Sequence, residues 1–114
     1  MKLMIAGSRS IDSFNLSEYI PADVDLIITG GALGIDGLAE RYADEHKISK
    51  LVVQPEYKKF GRYAPLKRNE IMVDMSDRVL VVWDGVSRGS EHTIRYAKKQ
   101  NKDLTVVHVD AEIV

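Results

Sequence analysis

The sequence predicts an α/β fold: a single Rossmann-like domain over residues 1–114, with a five-stranded parallel sheet in the order 3-2-1-4-5 and helices on both faces. Three observations carry that expectation. Five short apolar runs, Leu3 to Ala6, Leu26 to Ile28, Leu51 to Val53, Val79 to Trp83 and Leu104 to Val109, begin 23, 25, 28 and 25 residues apart. The runs are continuously apolar rather than alternating, as expected of parallel strands covered on both faces. The intervals between them have room for helices, so the order reads β-α-β-α-β-α-β-α-β, and right-handed crossovers restrict the topology to a Rossmann-like or flavodoxin-like sheet. Of the two, the Rossmann-like order is expected.

Each element has its own signal. The first strand turns at Gly7, and its apolar run is too short for the core of a secretory signal, so a cytoplasmic protein is expected. Phe14 to Ile20 carries a weaker helical pattern that Pro21 ends. From Ile35 to His46, the residues Ile35, Leu38, Ala39, Tyr42 and Ala43 fall at i, i+3, i+4, i+7 and i+8, with charged residues between them. A further helix runs from about Pro65 to Met75, with proline in its first turn. The last runs from about Ser90 to Gln100, with Lys98, Lys99 and Lys102 near its C-terminal end.

Composition narrows the partners. Sixteen Lys plus Arg against seventeen Asp plus Glu give a net charge of −1, so the molecule as a whole has no cationic field to draw it to nucleic acid or a membrane, and any basic site must be local. The absence of cysteine removes disulfides, zinc–thiolate sites and thiol nucleophiles. No metal and no cofactor is expected, and a domain of this length buries a sufficient core without either.

In a sheet of this order, ligands bind beyond the carboxyl ends of the strands where the order reverses, between strands one and four. Gly7, Ser8 and Arg9 follow strand one and read equally as a strand-to-helix turn with a serine cap or as a close backbone approach with an arginine for phosphate. After strand two, Thr29-Gly30-Gly31-Ala32-Leu33-Gly34-Ile35-Asp36 packs three glycines against a helix start, where free amides and the helix dipole suit a phosphate. The spacing matches neither the dinucleotide fingerprint nor the Walker loop. Asp36 reads as a first-turn acid or as a partner for a sugar hydroxyl. After strand four, Ser90 can cap the following helix, yet Gly89 and Ser90 together with the other loops suggest a second half of a phosphate cradle. Glu91 and His92 have acid–base chemistry available but are read first as solvated surface, with Glu91 kept as a catalytic candidate. Between Tyr57 and Asn69 lie Lys58, Lys59, Arg62, Lys67 and Arg68 interleaved with aromatics, a pattern that suits a nucleotide or single-stranded nucleic acid. Arg68 and Asn69 stand near a helix start, which does not favour a cation, and are therefore the better ligand candidates.

Taken in order and spacing, Gly7-Ser8-Arg9, Gly30-Gly31-Ala32-Leu33-Gly34-Ile35-Asp36, Arg68-Asn69 and the Gly89-Ser90 turn resemble the SLOG superfamily of Rossmann-like proteins, over nearly the whole chain and most closely its compact YspA or cpYpsA-related branch. That superfamily includes DprA, which binds single-stranded DNA, and the Lonely Guy phosphoribohydrolases, which cleave nucleoside 5′-monophosphates at the N-glycosidic bond. The resemblance implies a pocket for a nucleotide or nucleotide-derived phosphorylated ligand, in a sensor or ligand-processing domain. Gly30 and Gly31 would lie near phosphate, Arg68 and Asn69 would line the site, and the chain would form a homodimer. His92 and Thr93 stand where the hydrolases have two adjacent glutamates, and Glu91 is one position early, so hydrolysis is the alternative rather than the first expectation. Nucleic-acid binding is a further alternative that the acidic balance disfavours, and no membrane contact is expected.

Overall fold

The protein is described by a computed structural model over residues 1–110. The last four residues of the expected domain, 111–114, lie outside the described residues. Five strands, β1 (Lys2–Gly7), β2 (Leu26–Thr29), β3 (Ser49–Val52), β4 (Arg78–Trp83) and β5 (Asp103–His108), form one sheet in the order β3-β2-β1-β4-β5. Every pairing is parallel, with Leu3 level with Ile27 on one side and with Arg78 on the other. Four helices accompany them: α1 (Ile35–Glu45), the single turn α2 (Tyr57–Phe60), α3 (Ala64–Met75) and α4 (Arg88–Lys99).

Alternation along β1 sorts the core into two layers. Leu3 and Ile5 point to the face covered by Ile35, Ala39 and Ala43 of α1, whereas Met4 and Ala6 point to the face covered by Met72 and Val73 of α3 and Ile94 and Ala97 of α4. The β3-to-β4 connection therefore changes faces, which creates the reversal of strand order between β1 and β4. Both central strands are buried through their middles, as continuous apolar runs require.

Two expectations need correcting. The Phe14 to Ile20 segment does not form an α-helix; it holds only a 3-10 turn at Leu16–Glu18. The Asn15 side chain accepts hydrogen bonds from the Ser17 amide and hydroxyl, a local alternative to helical bonding, and Leu16 anchors the turn in the core. The two edge strands are also less covered than their apolar sequence suggests, with Leu51 37% and Val106 40% exposed, because each has a neighbour on one side only.

The loop after β1 packs closely against the start of α1. Gly34, at φ +73°, precedes α1, and a Cβ there would strike the backbone of Ser8 and Arg9. Its close packing lets the Ile35 amide donate to the Ser8 carbonyl at 3.4 Å. Gly34→Ala combines a left-handed backbone with overpacking and is expected to cost about 2–3 kcal/mol in urea denaturation, whereas Gly61→Ala, with open space around it, costs about 1 kcal/mol.

Candidate functional site

Beyond the carboxyl ends of β1 and β4 lies a cleft of about 480 Å³. Its floor is Ala6 and Gly7 of β1. One wall comes from Pro65, Leu66, Arg68, Asn69 and Met72 of α3, the other from Ser87, Gly89, Ser90 and Thr93 around α4, and Arg9, Ser10, Ala32, Asp36 and Asp84 complete the rim.

A hydrogen-bonded clasp joins the loops after β1 and β4. The Ser8 amide donates to the Val82 carbonyl at 3.0 Å, and the buried Ser8 hydroxyl accepts the Asp84 amide at 2.9 Å. The Asp84 carboxylate accepts the Val86 and Ser87 amides at 2.9 and 2.8 Å through Oδ1, and the Ser10 hydroxyl at 3.0 Å through Oδ2. The Val86 amide is the main cause of a carboxyl pKa drawn down to about 2; the Ser87 amide and the Ser10 and Ser8 hydroxyls add to it, against the opposing effect of burial. Asp84 therefore faces the cleft as a carboxylate at neutral pH.

Asp84 also sets the start of α4. The helix begins at Arg88 with Ser87 as its N-cap, two residues earlier than the sequence suggested, so Ser90 is not the cap but the buried third residue of the helix. The Ser87 side chain makes no capping hydrogen bond. The first helical bond runs from the Glu91 amide to the Ser87 carbonyl, which leaves the amides of Arg88, Gly89 and Ser90 ahead of it without an intrahelical acceptor. Glu91 itself turns away from the cleft and pairs with Arg95.

On the opposite rim, Arg68 occupies the glycine turn after β2. Its Nη1 donates to the Gly30 carbonyl at 2.8 Å and the Val53 carbonyl at 3.3 Å, and its Nε donates to Asn69 Oδ1 at 2.9 Å. The guanidinium lies so close to Gly30 that a Cβ there would collide with it. Asp36 sits beside it, buried, accepting the Ala32 amide at 3.2 Å. Desolvation raises the Asp36 pKa above the ordinary carboxylate value, opposed by the Ala32 amide and the charge of Arg68. Burial likewise lowers the pKa of Arg68, with Asp36 opposing and the like charge of Arg9 adding to the fall.

Of the residues singled out from sequence, Gly7, Arg9, Asp36, Arg68, Asn69, Gly89 and Ser90 meet in the cleft. Ser8, Gly30, Gly31, Gly34 and Glu91 do not line it. Ser8 belongs to the clasp, Gly30 makes room for Arg68, Gly31 rests at φ +73° against Val52, and Gly34 packs under the β1 loop. Ser10 and Ala32, which the sequence placed in the two turns without naming them as contacts, also line it, and sequence reasoning missed Ala6, Pro65, Leu66, Met72, Asp84, Ser87 and Thr93 as lining residues. An aspartate two residues before Val86 and three before Ser87 is an Asx-turn signal that could have marked Asp84. His92 lies outside the cleft, where its Nε2 meets Glu70 at 2.8 Å and Tyr63 also donates to Glu70. Among the described residues, no group of three or more acidic or histidine side chains is placed to hold a metal. No helix among them is long and apolar enough to cross a membrane.

Because the unfolded chain gives up the Asp36 proton near the ordinary carboxylate value and the folded chain gives it up higher, the unfolded state binds fewer protons across that interval. Stability therefore falls as pH rises through it. Asp36→Asn is expected to flatten that decline in denaturation midpoints measured from about pH 3 to pH 7. Arg68→Ala, which strips donors from two carbonyls and the cation from Asp36, is expected to cost about 2–3 kcal/mol at neutral pH and less in acid.

No family model matches the chain, and no solved structure matches it. It is similar to an uncharacterised SPbeta prophage-derived protein, YoqJ, of Bacillus subtilis (strain 168), with 34% identity over 65 residues. That match takes in 54% of this chain and 37% of the relative, so the chain spans little more than a third of the length of the curated relative it matches.

Proposed function

We propose that the cleft binds a small nucleotide or nucleotide-derived phosphorylated ligand, in the manner the SLOG resemblance implies. The observation that carries this reading is the start of α4: a helix N-terminus with no side-chain cap, opening into a cleft that Arg9 also lines. Arg9 makes no ion pair among the described residues. An anion placed between them meets unsatisfied amides, the positive end of the helix and a guanidinium with paired donors.

The remaining surfaces suit the rest of such a ligand. Arg9 lies near enough to Arg68 for their charges to repel, and an anion shared by the two relieves that repulsion. The Nη2 group of Arg68 takes no part in the bonds that anchor the other two guanidinium nitrogens. Leu66 and Met72 give an apolar wall against which a base can pack. Asp36 provides an acceptor for a sugar hydroxyl. With Glu91 turned towards Arg95, the reading is a binding or sensing domain rather than a hydrolase.

A panel of nucleoside 5′-monophosphates tests this by thermal melting. A ligand at about a hundred times its dissociation constant stabilises the fold by about 2.7 kcal/mol. Arg9→Ala is expected to weaken binding at least about tenfold, the effect of losing a charge-assisted contact, while Lys58→Ala leaves it unchanged. The reading fails if no nucleotide or ribose phosphate moves the melting temperature. Release of free base from a monophosphate would make the domain an enzyme.

A further inference from the structure

We propose that Asp84 is a specificity-determining residue of this cleft: it selects an anion that brings its own O–H donor, a phosphoryl group retaining a proton or a phosphate beside a sugar hydroxyl, over a fully deprotonated oxyanion. The inference rests on the cleft being an anion site, as proposed above, and adds what kind of anion it admits.

Asp84 lines the same cleft as Arg9 and the first turn of α4, so any anion drawn there by positive charge meets a carboxylate as well. The carboxylate is held in place. Its own amide is tied to the Ser8 hydroxyl, Oδ1 holds the Val86 and Ser87 amides, and Oδ2 holds the Ser10 hydroxyl, so turning it aside would break the loop that starts α4. A carboxylate offers about four acceptor positions, and these bonds fill two on Oδ1 and one on Oδ2. Ser8 also lies beside the carboxylate, but its hydroxyl is engaged as the acceptor of the Asp84 amide. The position left over is therefore on Oδ2, the oxygen that Ser10, itself a lining residue, also reaches. Only a donor satisfies it. An oxyanion without a proton leaves that acceptor unpaired and adds like-charge repulsion, whereas a ligand O–H fills it. Sites built to receive a hydroxyl hydrogen bond reject analogues lacking it by large factors.

The amides that Asp84 organises could equally be held by an asparagine, whose side-chain oxygen accepts both while its charge is absent. Asp84→Asn therefore separates the loop-building role from the charge. The experiment measures binding of inorganic phosphate and inorganic sulfate to the full chain by calorimetry at about pH 6, where phosphate keeps a proton and sulfate has none.

The wild-type protein is expected to prefer phosphate by about 100-fold or more, and Asp84→Asn to bring the two within about threefold, mainly by tightening sulfate. Ribose 5-phosphate and methyl phosphate identify the donor: equal preference over sulfate assigns it to the phosphoryl proton, and a gain for the ribose ester alone assigns it to the sugar hydroxyl. Equal wild-type affinity for phosphate and sulfate overturns the assignment and leaves the anion site standing, whereas binding of none of the four probes overturns both. A wild-type ratio retained in Asp84→Asn overturns the role of Asp84. Should that variant not fold, Ser10→Ala decides: it frees a second position on Oδ2, so the preference for phosphate holds or widens, and its collapse overturns the proposal.

Discussion

The site depends on one contact between two loops that sequence separates by 76 residues, the Ser8 hydroxyl accepting the Asp84 amide. Parallel pairing of β1 with β4 brings the carboxyl ends of both strands to one edge, but it does not fix what the chain does beyond them. The clasp does. Once the Asp84 backbone is held against Ser8, its carboxylate gathers the Val86 and Ser87 amides, and the chain enters α4 with its first amides uncommitted. Ser8 is 1% exposed, so this bond forms away from water, where losing a partner costs more than it would at the surface.

The opposite rim follows a different logic. Burying a guanidinium is costly unless its donors are met, and Arg68 is met by two carbonyls and the Asn69 side chain, with Asp36 alongside. A glycine at position 30 is what gives the guanidinium access to that carbonyl. The two glycine-rich turns therefore do different work: the one after β2 admits an arginine of the protein itself, and the one after β4 borders the cleft. Positive charge on this rim is supplied by a side chain from α3, not by the backbone of the turn.

How much of this was legible follows from range. The strand order came from the spacing of apolar runs and the handedness of crossovers, because burial on both faces writes itself into the central strands as unbroken apolar sequence. The helix pattern from Ile35 was equally plain, since i, i+3 and i+4 placement records a buried stripe. The 14–20 segment misled because Asn15 satisfies the next amides locally, and helical periodicity contains no term for that competition. Gly30 and Gly31 pointed to a backbone approached closely, which holds at Gly30, but composition cannot say whether the approaching group belongs to a ligand or to Arg68 38 residues away. Asp84 was hidden because an acid in a loop is ordinary until its partners, Ser8 and Ser10, are seen to come from the other end of the chain.

The 3-10 turn in place of a helix between β1 and β2 has a consequence for motion. Residues 8–25 cross over the sheet without a repeating backbone ladder, so breaking one of their hydrogen bonds does not cooperatively break the next. Amides in this crossing should exchange with solvent at lower opening energies than those of β1 or β4. One flank of the cleft, carrying Arg9 and Ser10, is therefore held by separate bonds rather than by a ladder, whereas the strands beneath it are paired along their length.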